Sequence, residues 1–162
     1  MNTLGSFARQ RGMTLMELVV ATAILAILAS AVLPLSQSVV QRSRELELRC
    51  NLRTIRTAID DYKGDYDRAV TEKKIIGAIH ETGYPKSLEE LVEGKDWGGL
   101  YPYKRKYLRR IPKDPFDEYD EGWGLRAYRD DFDSRIHGGE DVYDVFSKSH
   151  KTALDGTRYQ DW

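Results

Sequence analysis

Two hydrophobic patterns of different kinds meet in the first half of the chain. Residues 18–35 are apolar all round a helix, whereas Leu48, Leu52, Ile55, Ile59, Tyr62 and Tyr66 recur at alternating steps of four and three. That second spacing marks a helix with a single apolar face, one side of which must cover a small domain. Near the end of the first pattern stands Pro34, which removes a backbone donor and clashes with the preceding turn, so it kinks, locally melts or ends a helix. The pattern predicts one long, interrupted helix from about residue 15 to about residue 66, apolar in its first half and amphipathic in its second.

Beyond residue 66 the periodicity shortens. Gly83-Tyr84-Pro85 breaks the chain, and Ser87 with Glu90 reads as a capping box opening a short helix that Gly94 closes. Glycines, prolines and aromatics over residues 97–115 predict loops, with Leu108 and Ile111 as buried points. Residues 123–128 alternate and residues 142–147 are rich in strand formers, so the two should pair across the turn-like residues 136–139. The fold class is α+β: a long N-terminal helix packed on a small C-terminal antiparallel β-sheet.

Charge sharpens this division. The net charge is −1, which gives no global attraction to nucleic acid or an anionic surface. Its distribution is uneven, with no charged residue between Glu17 and Arg42. Residues 1–12 hold Arg9 and Arg11 and no acid, so a basic segment precedes an apolar one, as in targeting sequences. Residues 18–35 in a helix span about 27 Å, close to the roughly 30 Å hydrocarbon core of a bilayer. The basic side should stay cytoplasmic, which puts the polar body across the membrane. The segment has two other readings, an uncleaved anchor and an ordinary signal peptide cut at Ala29-Ser30-Ala31.

Neither of those accounts for Glu17, a carboxylate at the edge of the apolar run. Its charge costs up to about 2.5 to 3.5 kcal/mol at the bilayer centre and less near an interface, so it calls for a partner. A cut between Gly12 and Met13 would create an α-amino group one helical turn before it. Between neighbours in a helical bundle the two charges can neutralise each other, and Glu17 would then set assembly register.

The run Gly12-Met13-Thr14-Leu15-Met16-Glu17-Leu18-Val19 resembles the cleavage and methylation motif of type IV pilins and type II secretion pseudopilins, with methionine where phenylalanine is commoner. The resemblance implies a prepilin peptidase that cuts after Gly12 and N-methylates Met13, and it gives Glu17 and Pro34 positions that matter for assembly. Residues 1–12 would then be a removed leader, 13–35 the transmembrane and filament-core helix, 36–66 its amphipathic half, and 67–162 a periplasmic globular region. Gly83-Tyr84-Pro85, the stretch from Tyr107 to Phe116, Trp123-Gly124, the stretch from Tyr143 to Ser147 and the closing residues 155–162 resemble the major pseudopilin most. A single cysteine also forbids the C-terminal disulfide common in pilins.

This resemblance implies a structural subunit of a type II secretion pseudopilus, anchored in the inner membrane by a single pass with its C-terminal domain in the periplasm. Its implied partners are copies of itself in a helical polymer, prepilin peptidase, other pseudopilins, the inner-membrane assembly platform and, before assembly, lipid. A type IV pilus pilin for adhesion or motility, and a secreted or anchored periplasmic binding domain, are the alternatives. The resemblance also implies calcium in the C-terminal loop, with Asp155 and Asp161 matching best by position. There, however, residues 147–155 bring in Lys148 and Lys151 in place of an acidic, glycine-rich turn.

Enzyme chemistry finds no motif: there is no phosphate loop, nucleophile elbow or metalloprotease signature. His80, His137 and His150 lack ligand spacing, and Cys50, near the helical stripe, is expected to be a buried, inert thiol. Asp130, Asp131 and Asp133 are expected to be solvated, as are Arg42, Arg44, Glu45, Glu47 and Arg49 unless a neighbouring subunit covers them. Lys104, Arg105, Lys106, Arg109 and Arg110, interleaved with Tyr103 and Tyr107, form a solvated or inter-subunit surface rather than a nucleic-acid site, given the neutral total charge.

Overall fold

The computed structural model describes residues 12–77 and 81–162, without the side chains of 31–36. Helix α1 runs Leu15–Thr71, α2 Leu88–Glu93, strand β1 Gly124–Arg126 and β2 Asp144–Phe146, and a 3-10 turn covers Tyr159–Asp161. The chain divides into two compact units, Met1–Val40 and Gln41–Trp162. Helical backbone continues through residue 34, so the helix neither ends nor melts there, and it ends five residues later than its stripe suggested. The side chain of Pro34 lies outside the described residues.

In the second unit the stripe behaves as its spacing predicts. Leu48, Leu52, Ile55, Ile59 and Tyr62 are buried and join Leu91, Trp97, Val142, Val145 and Tyr159 in one core. Each fully buried aliphatic side chain stabilises such a core by about 1.5 to 3 kcal/mol. Cys50 is exposed, contrary to expectation. It stands two residues from both Leu48 and Leu52, about 200° around the helix from each, and so faces away from the stripe.

The strands pair antiparallel in the register Gly124↔Phe146, Leu125↔Val145 and Arg126↔Asp144. They are shorter than the alternation suggested, three residues each. A Cβ at Gly124 would lie 2.4 Å from the Phe146 ring, so glycine is what lets that ring lie across the partner strand. The same logic holds at Gly83, whose φ of +84° and 2.4 Å approach to the Tyr66 ring admit no side chain. Of the two points expected to be buried in the long loop, Leu108 is buried and Ile111 half-buried.

Helix α2 starts after Ser87 and ends at Gly94, whose N–H donates to Glu90 O at 2.9 Å. The capping box does not form as expected: Ser87 makes no side-chain cap, and Glu90 instead accepts from Lys86 N at 3.3 Å and from the Tyr62 hydroxyl at 2.9 Å. Burial and this carboxylate push the Tyr62 phenol well above its usual range.

Polar groups tie the helix to the loops. Asp65, buried, accepts from Tyr101 Oη at 2.9 Å, Tyr107 Oη at 2.6 Å and Arg105 Nη1 at 2.9 Å. Arg105 and Tyr107 are therefore half-buried and turned toward Asp65, which takes them from the centre of the expected basic surface. Arg56 donates to Asp144 Oδ1 at 2.7 Å, Val145 O at 3.0 Å and Trp162 O at 2.9 Å. Such multiple charge-assisted bonds are among the stronger polar contacts in proteins.

Candidate assembly segment and C-terminal loop

At the start of α1, Thr14 caps the helix: its Oγ1 accepts from Glu17 N at 3.2 Å and its carbonyl from Leu18 N at 3.1 Å. Glu17 thus sits in the first turn, where free backbone N–H groups favour a negative charge. Among the described residues nothing lies within 4 Å of the position a Cβ would take at Gly12. Met13 is exposed beside it.

The helix that follows exposes much of its described apolar surface. Leu15 is 79% exposed, Leu25 64% and Ile27 70%. Its hydroxyls turn back on the helix, with Thr22 Oγ1 donating to Leu18 O and Val19 O at 3.0 Å and Ser30 Oγ to Ile27 O at 2.7 Å. Back-bonding of this kind leaves an outer surface that offers almost no polar atoms. Among the described residues, no helix is long and apolar enough to cross a membrane. The run expected to do so, residues 18–35, includes 31–35, whose side chains lie outside the description.

The C-terminal loop is built differently. Asp155 Oδ1 accepts from Thr157 N at 2.9 Å and Thr157 Oγ1 at 2.6 Å, while Oδ2 pairs with Arg49 at 3.2 Å. These hydrogen bonds from Thr157, with the Arg49 charge, hold its carboxyl below the usual carboxylate range. Asp161 pairs with Arg135 at 2.9 Å. Each carboxylate named for calcium is thus committed to its own arginine, and among the described residues no three Asp, Glu, His or Cys side chains are grouped to hold a metal.

Several residues with defined roles here gave no signal in the sequence. Glu45, expected to face solvent or a subunit, accepts from Leu154 N at 2.8 Å and Tyr159 Oη at 2.9 Å. Asp130 organises the loop between the strands by accepting from Ala127 N at 2.7 Å and Gly138 N at 3.0 Å, bonds that lower its pKa. His137 bonds the Asp141 carbonyl, and His80 lies outside the described residues.

The first unit thus presents a capped helix with an acidic first turn and exposed apolar side chains, and the second is α+β. Consistent with this, the family model for the prokaryotic N-terminal methylation motif matches residues 7–33. The chain is 32% identical to the type II secretion system core protein G of Klebsiella pneumoniae over 108 residues, 67% of this chain and 70% of that protein. It is 30% identical to the core protein G of Aeromonas hydrophila, covering 68% of it, and 29% identical to that of Dickeya chrysanthemi, covering 64%. No solved structure matches significantly. The chain belongs to the type II secretion system core protein G family, the major pseudopilins, and is a structural protein rather than an enzyme.

Proposed function

We propose that this pseudopilin is cut between Gly12 and Met13 by prepilin peptidase, N-methylated on Met13, and held by a single inner-membrane pass over residues 13–35 until it polymerises into a periplasmic pseudopilus that drives protein export. The observation that carries this reading is the helix after Thr14: a surface of exposed leucine, isoleucine and valine whose hydroxyls are satisfied internally. A surface of that size has to be covered, first by lipid and then by the same helix of neighbouring subunits. Glu17 in the first turn is the charge such a bundle must neutralise, and the new α-amino group of a neighbour is the partner the cut supplies. Glycine at position 12, against which nothing among the described residues packs, is what a peptidase that cuts after glycine requires. Other pseudopilins and the inner-membrane assembly platform complete the set of partners.

Intact mass and N-terminal peptide spectrometry on the protein from its native membrane tests the pathway. A chain beginning at N-methylated Met13 is the expected result. A start at Val32 would instead mark an ordinary signal peptide and remove the assembly role from Glu17.

A further inference from the structure

We infer that this chain fastens its C-terminal loop with its own cationic side chains instead of a metal ion, Lys148 and Lys151 tying the loop to residues 118–121 and Arg49 and Arg135 taking its two carboxylates. The inference goes beyond the assembly role and draws on family membership only for the expectation of a metal.

Two lysines stand where the family resemblance leads one to expect an acidic turn, and both are engaged. Lys151 Nζ pairs with Glu118, and Lys148 Nζ donates to Glu121 O at 2.8 Å. The pairing with Lys151 holds the Glu118 carboxyl below its usual range. On the helix side Arg49 takes Asp155 and also lies over the Trp162 ring, its Cζ 4.1 Å from the centroid.

Several backbone oxygens are similarly committed. Thr157 O accepts from Ala153 N at 2.8 Å, Ala153 O from Gly156 N at 3.0 Å and Thr152 O from Gln41 Nε2 at 3.2 Å. Calcium would have to strip several of these donors and settle among four positive side chains, with Asp155 and Asp161 each already paired to an arginine. Beneath the polar layer, Tyr159 is fully buried and stacks on Phe116 with ring centroids 4.0 Å apart. The loop therefore has an apolar anchor and an ionic rim.

Thermal unfolding of the full chain in detergent micelles tests this, comparing about 1 mM calcium chloride with about 5 mM EDTA. The midpoints should agree within about 1 °C, whereas a calcium site of about 10 µM affinity would raise the midpoint by about 5 to 10 °C and overturn the inference. A double-mutant cycle in EDTA then reads the clamp itself. Lys151→Gln and Glu118→Gln should each lower the midpoint by about 1 to 3 °C, and the double variant by no more than the larger single loss. Fully additive losses, or none, would take the ion pair out of the clamp. Neither readout depends on where the N-terminus is cut or on filament formation, so the inference and the assembly reading fail independently.

Discussion

The two units of this protein handle apolar surface in opposite ways. In Gln41–Trp162 the helix stripe is matched by α2, the strands and the C-terminal loop, and Leu48, Ile55, Ile59, Val142 and Val145 are fully buried. In Met1–Val40 the described part of the helix leaves Leu15, Leu25 and Ile27 among its exposed apolar side chains. The first kind of surface stabilises a fold, and the second stores free energy that only an assembly or a bilayer can release. A helix with one apolar stripe is complete within the chain, whereas a helix apolar all round is completed from outside.

The comparison breaks most completely at position 12. Gly12→Val should stop maturation, leaving a product with residues 1–12 still attached by mass and no filaments, while the globular unit folds normally. Next, Ile55→Ala should destabilise by about 2 to 5 kcal/mol, the cost of deleting buried methylenes and leaving a cavity. Leu25→Ala, at an exposed position, should leave the unfolding midpoint unchanged and weaken only assembly. Equal thermal losses for these two variants would falsify the division of labour.

Glu17→Ala should be cut and inserted normally yet lower the yield of cross-linked filament by about tenfold or more, as expected when one charge pair at the edge of an apolar bundle is lost. The smallest effect is that of acid. Glu118, Asp130 and Asp155 have pKa values lowered in the folded state, below ordinary values of 4.5, 3.8 and 3.8. Groups shifted this way contribute stability that is fully present above their unfolded pKa and is lost as pH falls through the folded one. The midpoint should therefore hold steady from neutrality to about pH 5 and decline below about pH 4. Lys151→Gln should flatten that decline.

What could be read from the sequence was what local rules encode. The four-and-three stripe, the pairing of residues 124–126 with 144–146 and the buried Leu108 all follow from periodicity and strand propensity. Asp65 escaped notice because its partners Tyr101, Arg105 and Tyr107 lie some forty residues downstream, and a carboxylate on a helix otherwise looks solvated. Arg105 was counted with a basic surface because charge runs reveal composition but not direction. Asp155 and Asp161 resembled ligands by position, yet whether two carboxylates converge depends on the loop's path, which sequence spacing does not encode. Pro34 was expected to interrupt a helix that in fact continues, showing that a strong helical context can override one lost hydrogen bond.

The Arg56 side chain reaches from the helix to Asp144, Val145 O and Trp162 O at once. Mechanically, this is one rivet through three plates. A pull on the second unit's stretch of α1 is shared at the same moment by the second strand and the last residue, so these bonds must break together rather than in succession. Within the second unit, that stretch of helix, the second strand and the tail respond as a single stiff body.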